Sequence, residues 1–315
     1  MPLKPGAFKT YPTPDQSFWC CVGTGMENHA KYPDSIYVHD DASLYVNLFI
    51  ASAVRWREKA AVVRQETRFP DSDTMRLTVR VEHPVRFMLK VRYPGWAASG
   101  MDVRVNGRET TAARLSGAYV AIDREWRDGD LIDLRIPMHL RFEFLPGEPA
   151  VAAVLYGPIV LAGDLGSDGL TPSVRYGPSV PPLGKLRTPA IPAFVGDPAR
   201  MLGSIESVPG RPLTFRTKGL AQPHDVTLVP FFKASDQRYT VYWKLFAPAQ
   251  WAERKAEVAA PETMYHDPTE VFDITYAMPE GLLKGRSRVA MKFQAAAGAS
   301  TGGVFDVRTV KTPAR

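Results

Sequence analysis

Cysteine is almost absent from this sequence: its 315 residues include two, Cys20 and Cys21, and these are adjacent. A bond between direct neighbours closes a small strained ring, which argues against a disulfide-stapled secreted fold. No apolar run approaches the roughly 18 residues of a membrane span, so we expect no membrane partner. No apolar signal segment follows Met1, and this leaves the cellular location open.

Concentrated positive charge is also missing. The net charge is +6, but arginine and lysine are scattered along alternating segments, whereas nucleic-acid binding needs a basic run or patch. We interpret them as solvent-facing and predict no nucleic-acid partner. The sequence has no glycine-rich phosphate loop, no serine nucleophile elbow, no H-E-x-x-H motif and no internal repeat.

Most of the chain shows the two-residue alternation of half-buried antiparallel strands. The alternation is clearest over 75–82 and 85–93, and Asn106-Gly107 is a strong hairpin-turn signal. About nine or ten short strands follow one another with regular turn signals over 39–163. The sequence therefore predicts a mainly β protein with an antiparallel β-sandwich in this region.

Two further regions follow the predicted sandwich. Residues 164–200 are rich in proline and glycine and are predicted to form an irregular connection. Residues 201–315 are predicted to hold more strands of a partial C-terminal β domain, with a short helix over Pro248–Ala259. The expected closing strands of that domain span 271–276, 288–293 and 304–310.

The segment around the cysteines predicts a helix start. Thr24-Gly25-Met26-Glu27 has the capping-box pattern, in which Thr24 bonds the Glu27 backbone N–H and Glu27 reaches back. We expect a helix from Gly25 to about Tyr32, because Pro33 disfavours a helical residue before it. Thiols near a positive helix N-terminus have more thiolate, the form that attacks carbon and binds metal.

The residues alone leave three roles open for the cysteine pair. Cys20 and Cys21 are consistent with a metal-binding or catalytic thiol site, with buried structural cysteines, or with a redox pair. The C-x₂-C spacing of zinc knuckles is absent, and a closed zinc site would need two more ligands. The nearby His29 and His39 favour surface or packing roles, and Glu27 favours a capping role.

A longer motif surrounds the pair: Ser17-Phe18-Trp19-Cys20-Cys21-Val22-Gly23-Thr24-Gly25-Met26-Glu27-Asn28-His29-Ala30-Lys31-Tyr32. This stretch resembles the family 127 glycoside hydrolases, formerly a domain of unknown function and typified by β-L-arabinofuranosidases. The resemblance extends over most of the chain. It includes residues 39–41, 44–50, 65–70, 156–163, 237–243 and 302–308.

The resemblance implies an (α/α)₆ barrel with the active site, followed by β-sandwich domains, so that residues 1–38 would be a short helical remnant of the barrel. It implies a Zn²⁺ site in which Cys20 is both nucleophile and metal ligand and Cys21 is a second metal ligand. A thiolate would then replace the usual carboxylate nucleophile of a retaining glycosidase. The implied partner of the full-length enzyme is a carbohydrate, an L-arabinofuranoside-like glycan.

This sequence departs from the family pattern before the cysteine pair. In the family, a glutamate and a cysteine that complete the metal site, and the acid/base glutamate, lie upstream. Here the nineteen residues before Cys20 contain no Glu, Cys or His. We therefore expect a C-terminal fragment of a longer enzyme, inactive alone. The alternatives are a non-catalytic carbohydrate-binding or structural β-sandwich module and a thiol redox protein.

Overall fold

The computed structural model describes residues 11–15, 20–110, 113–115, 119–176 and 189–259. All of these residues lie in the larger of two units of the chain, formed by Met1 and Gly6–Glu262. The closing strands predicted after residue 270 lie outside the described residues. Within the described ranges, no helix is both long and apolar enough to cross a membrane.

The first element is the helix α1, Cys20–Ile36, and Ile36 is its one buried residue. The predicted helix limits are wrong at both ends. Thr24 is not a cap: it lies within α1, and its hydroxyl donates to the backbone carbonyl of Cys20 at 3.2 Å. Pro33 lies inside the helix as well. An exposed helix tolerates it there because water can bond the carbonyl that loses its N–H partner.

Eleven strands follow α1. In chain order they are β1 (Tyr37–His39), β2 (Ser43–Val46), β3 (Ser52–Trp56), β4 (Ala61–Thr67), β5 (Thr74–Val81), β6 (Val85–Arg92), β7 (Asp102–Val105), β8 (Arg108–Glu109), β9 (Ala113–Leu115), β10 (Tyr119–Trp126) and β11 (Leu131–Arg135). A short 3₁₀ helix, Arg57–Lys59, connects β3 to β4. Sheet I has the order β1-β2-β6-β10-β9, and sheet II has the order β3-β4-β5-β11-β7-β8.

Sheets I and II pack face to face as a sandwich around one core. Alternate residues of each strand face inwards, so Met75, Leu77 and Val79 of β5 are at most 3% exposed. In sheet I the fully buried Trp126 donates its indole N–H to the carbonyl of Phe87 at 2.9 Å. The predicted alternation and the mainly β fold behind a leading helix are confirmed.

A second core is built from later strands. These are β12 (Leu140–Leu145), β13 (Glu148–Tyr156), β14 (Ile159–Asp164), β15 (Ala193–Val195), β16 (Ile205–Ser207), β17 (Phe215–Thr217), β18 (Ala221–Gln222), β19 (Thr227–Pro230), β20 (Tyr239–Thr240) and β21 (Tyr242–Phe246). They form sheet III, in which Phe194 and Trp243 stack with ring centroids 4.4 Å apart. Short 3₁₀ helices occur at Met201–Ser204 and Phe231–Lys233.

The hydrogen bonding divides the strands predicted for one sandwich over 39–163 between the two cores. β13 pairs with β21, and β14 pairs with β19 and β20, so all three of β12, β13 and β14 belong to sheet III. The predicted connection over 164–200 includes a four-residue helix, α2 (Pro172–Arg175), as well as β15. The helix predicted over Pro248–Ala259 is confirmed as α3.

Candidate functional site

Cys20 and Cys21 lie in the first turn of α1, and both side chains are exposed. In the part of the chain that the structure describes, neither forms a disulfide. This exposure argues against the buried structural role that the residues alone left open. The positive end of the helix dipole lies at this turn, an environment that favours negative charge on nearby groups.

The pair lies at the opposite end of α1 from Ile36. α1 has 17 residues, and a rise of 1.5 Å per residue places Cys20 about 24 Å from Ile36, where the helix meets sheet I. Because only Ile36 of α1 is buried, the described residues leave the flanks of this helix uncovered. The two thiols are therefore presented to solvent at the outer end of the helix.

The polar residues nearest in sequence do not converge on the thiols. His29 Nδ1 donates to the carbonyl of Gly25 at 2.9 Å, and its ring contacts Tyr32 with centroids 5.6 Å apart. His39 lies on β1, where its ring contacts that of Trp56 at 5.3 Å. Both histidines thus have the local packing roles that their sequence context favours.

Glu27 is the carboxylate of α1 on the same helical face as Cys20, seven residues later. Two helical turns separate them by about 10 Å along the axis. A retaining glycosidase needs its acid and its nucleophile about 5–5.5 Å apart. Glu27 is therefore too distant to act as the general acid for a nucleophile at Cys20.

The described residues do not complete a metal site. Thiolates are ligands that Zn²⁺ prefers, so the donor chemistry of the pair fits this ion. A closed zinc site needs four ligands, and among the described residues no three His, Cys, Asp or Glu side chains come together. If the cysteine pair binds Zn²⁺, this part of the chain would supply two of the four ligands.

A separate group of exposed aromatic side chains lies in the second core region. Phe231 and Phe232 of the 3₁₀ helix are 43% and 62% exposed, and the rings of Phe231 and Tyr239 lie 5.2 Å apart. Phe231 and Phe232 border a shallow cavity of about 310 Å³ with apolar walls. The sequence does not single out this cluster, because each aromatic residue lies in a segment that predicts a strand.

Comparison with known proteins identifies two segments of the chain. Residues 43–138, which form most of the sandwich, match the family model described as beta-L-arabinofuranosidase, GH127 middle domain. Residues 141–245, which hold the second core, match a domain of unknown function. Among curated proteins, none matches the sequence.

Several solved structures have a similar fold. Ara127N-Se, a GH127 beta-L-arabinofuranosidase from Geobacillus stearothermophilus T6, superposes with a TM-score of 0.55 at 19% identity, over 72% of this chain and 37% of that one. A protein described as a glycoside hydrolase gives 0.54 at 18%, over 73% and 40%. A GH127 beta-arabinofuranosidase gives 0.52 at 18%, over 72% and 38%. The chain thus spans about two fifths of the length of these proteins.

Proposed function

We propose that this chain carries the nucleophile and the β domains of a β-L-arabinofuranosidase-type enzyme, on the premise that residues 43–138 match the GH127 middle domain. The supporting observation is the order of its parts. An exposed cysteine pair opens α1, and α1 runs directly into the sandwich that matches the middle domain. The proposed substrate is an L-arabinofuranoside-like glycan.

In this proposal Cys20 is the nucleophile of a retaining double displacement. Its thiolate attacks the anomeric carbon, so that a sulfur–carbon bond forms as the glycosidic carbon–oxygen bond breaks. The departing oxygen takes a proton from a general acid, and water later displaces the sulfur. Glu27 is too distant to be that acid, and we expect the acid to come from outside the described residues.

Cys21 would act with Cys20 as a ligand of Zn²⁺. When bound, the ion would keep a coordinating thiol deprotonated at neutral pH. The remaining ligands, like the acid, would come from outside the described residues. We therefore expect the site of this chain to be incomplete by itself.

An incomplete site predicts negligible glycosidase activity for the purified chain. Absence of the general acid alone lowers the rate by about 10²–10⁴-fold. The test is the hydrolysis of p-nitrophenyl arabinofuranosides by the chain and by Cys20→Ser. Hydrolysis that disappears in Cys20→Ser would contradict the incomplete site, although it would support the role of Cys20.

Metal analysis tests the ligand roles separately. We expect Zn²⁺ added to the chain to be retained weakly, and to be lost when either Cys20→Ser or Cys21→Ser is introduced. His29→Ala, which alters a neighbouring side chain that faces along the helix, is the matched control. Retention of the ion by both serine variants would overturn the assignment of the pair as metal ligands.

The exposed aromatic cluster favours a second candidate function, a non-catalytic carbohydrate-binding module. Sugar rings stack their C–H faces on aromatic rings, and the side chains of Phe231 and Phe232 are exposed. Beside them Lys233 and Asp71, with Nζ and Oδ1 3.5 Å apart, offer a donor and an acceptor for hydroxyl groups. This arrangement suits a neutral oligosaccharide.

Calorimetric titration with arabino-oligosaccharides distinguishes the two functions. The module predicts saturable binding that Phe232→Ala weakens. Phe144→Ala removes a phenylalanine of β12 that is 50% exposed. This control is expected to leave binding unchanged. No saturable binding, or equal loss in both variants, would dismiss the module.

A further inference from the structure

The outer face of sheet II forms an open groove of about 1220 Å³. Five arginines line it, and their guanidinium groups reach it from β4, β5, β7, β11 and the loop after β4. They are Arg64, Arg68, Arg76, Arg104 and Arg135. This concentration of guanidinium groups takes no part in the proposed cysteine site.

Strand register explains why these groups meet. Glu66 of β4 is opposite Arg76 of β5, Arg76 is opposite Asp133 of β11, and Asp133 is opposite Arg104 of β7. Neighbouring strands lie about 4.8 Å apart, so the four side chains form one row across the sheet. Positive and negative groups alternate along that row.

Two ion pairs fix the orientation of guanidinium groups in the groove and use one nitrogen of each arginine. Arg76 donates through Nε to Asp133 Oδ1 at 2.7 Å, and Arg135 donates through Nε to Asp73 Oδ2 at 2.9 Å. Within the described ranges, the terminal nitrogens of both arginines form no hydrogen bond and so remain for a ligand. The side chains of Arg76 and Arg135 are 52% and 58% exposed.

Arg68 adds a third guanidinium group. It is exposed, and the described residues provide no ion-pair partner for it. Two parallel N–H donors of an arginine fit a carboxylate in a bidentate manner. The groove thus presents several free two-donor ends on one surface.

We propose that this groove binds an acidic polysaccharide, a glycan that contains uronate units. The uronate carboxylates pair with Arg68 and with the free ends of Arg76 and Arg135. The hydroxyls of the same sugars donate to the carboxylates that line the groove, Glu66 and Asp133. Asp73 and Glu109 beside the groove pair with Arg135 and Arg104, so the anionic ligand is bound by the free guanidinium ends and not by an excess of positive charge.

Other polymers fit this lining less well. The bases of a single-stranded nucleic acid would find no aromatic side chain to stack on, since none lines the groove. A neutral glycan also lacks that stacking surface. Alternating guanidinium and carboxylate groups match a chain that bears both carboxylates and hydroxyls.

The size of the groove indicates a polysaccharide ligand rather than a single sugar. Pockets for small ligands enclose about 300–1,000 Å³, and this groove is larger and open to solvent. The groove lies on sheet II and its adjoining loops. Binding there therefore does not depend on the cysteine site or on glycosidase activity. It would hold the protein on a substrate that is negatively charged.

Affinity electrophoresis of the full chain through gels that contain polygalacturonate or neutral arabinan tests the proposal. We expect retardation by polygalacturonate that salt weakens, and no comparable effect of arabinan. The combined variant Arg68→Gln, Arg76→Gln and Arg135→Gln should lower the affinity for polygalacturonate at least about tenfold. The single variant Arg68→Glu, which breaks no ion pair, should lower it severalfold.

A control variant changes the net charge equally at other exposed arginines: Arg86→Gln, Arg92→Gln and Arg216→Gln. Affinity close to that of the native chain in this control supports the groove. Equal loss in the control and the groove variant, no retardation of the native chain, or stronger binding to arabinan would overturn the proposal. Should the groove variant unfold in thermal denaturation, Arg68→Glu alone decides between these outcomes.

Discussion

Gly163 lies directly against the indole ring of Trp243: a Cβ at residue 163 would lie 2.4 Å from Trp243 Cη2. The ring cannot retreat, because Trp243 is fully buried and stacked on Phe194 at 4.4 Å. The second core therefore requires glycine at this position for space rather than for backbone conformation.

Gly163→Ala should accordingly destabilise the chain by about 1–3 kcal/mol, the usual effect of overpacking a filled core. Urea unfolding followed by tryptophan fluorescence measures the change. Gly203→Ala is the control, since a Cβ there meets nothing within 4 Å. Equal stability of the two variants would show that the ring can be displaced.

Gln65 is a buried polar side chain whose loss should be costly. It is 1% exposed, and its Nε2 donates to the carbonyls of Leu48 and Ile50 at 3.0 and 2.6 Å. Gln65→Leu leaves both carbonyls without this donor and should destabilise by about 1–3 kcal/mol. Thermal unfolding measures this loss of stability. The control is Arg64→Leu, a substitution at a neighbouring exposed residue, where little change in stability is expected. A smaller effect at residue 65 than at residue 64 would contradict this role.

The carboxylate of Asp225 fastens the turn before β19. Burial raises the pKa of this carboxylate. Hydrogen bonds from the Gly219 N–H at 2.8 Å, the Thr217 hydroxyl at 2.8 Å and the Ala221 N–H at 3.4 Å lower it by more than burial raises it. The net pKa of Asp225 is therefore below the usual value. A lowered pKa contributes stability above the unfolded pKa of about 3.9, and that stability is lost as the pH falls through the folded value.

Asp225→Asn should therefore destabilise the chain by about 1–2 kcal/mol at neutral pH. The free-energy difference from the native chain should narrow as the pH falls below about 4. Urea titrations at several pH values check both statements, with Asp34→Asn on the exposed face of α1 as the control. A difference that is independent of pH would mean that the charge of Asp225 plays no part.

The exposure of Cys20 and Cys21 predicts fast reaction with a thiol reagent. Both sulfurs should react before the chain unfolds, at a rate that urea raises by less than about twofold. Cys20→Ser and Cys21→Ser assign each phase of a stopped-flow trace with a chromogenic disulfide. Reaction that requires unfolding would show that part of the chain outside the described residues covers the pair.

The strands could be predicted from sequence where alternation is uninterrupted, as in β5 and β6. The hydrophobic alternation is weaker in β3 and β4, because the inward positions of this hairpin include the polar Gln65 and Ser52. The division into two cores cannot be predicted from the residues of single strands, because a strand has the same residue pattern whichever sheet it joins.

The groove on sheet II depends on register between strands that are far apart in sequence. Each strand shows only that its charged residues face solvent. That Arg76 lies between Glu66 and Asp133 follows from two pairings, and one of them spans more than fifty residues. The cysteine pair could be found from its motif, but its exposed position on α1 required the structure.

The way α1 is attached has a mechanical consequence for the thiols. Ile36 is the one buried residue of α1, and a tilt of about 5° about that residue would move a group at Cys20, roughly 24 Å away, by about 2 Å. The segment before α1 is attached as well, because the Tyr11 N–H donates to the carbonyl of Arg175 at 2.7 Å. A misplacement of about 1 Å can cost a reaction about 10²-fold in rate. In the proposed enzyme, the position of the Cys20 sulfur therefore depends on both attachments, that of α1 at Ile36 and that of the preceding segment at Tyr11.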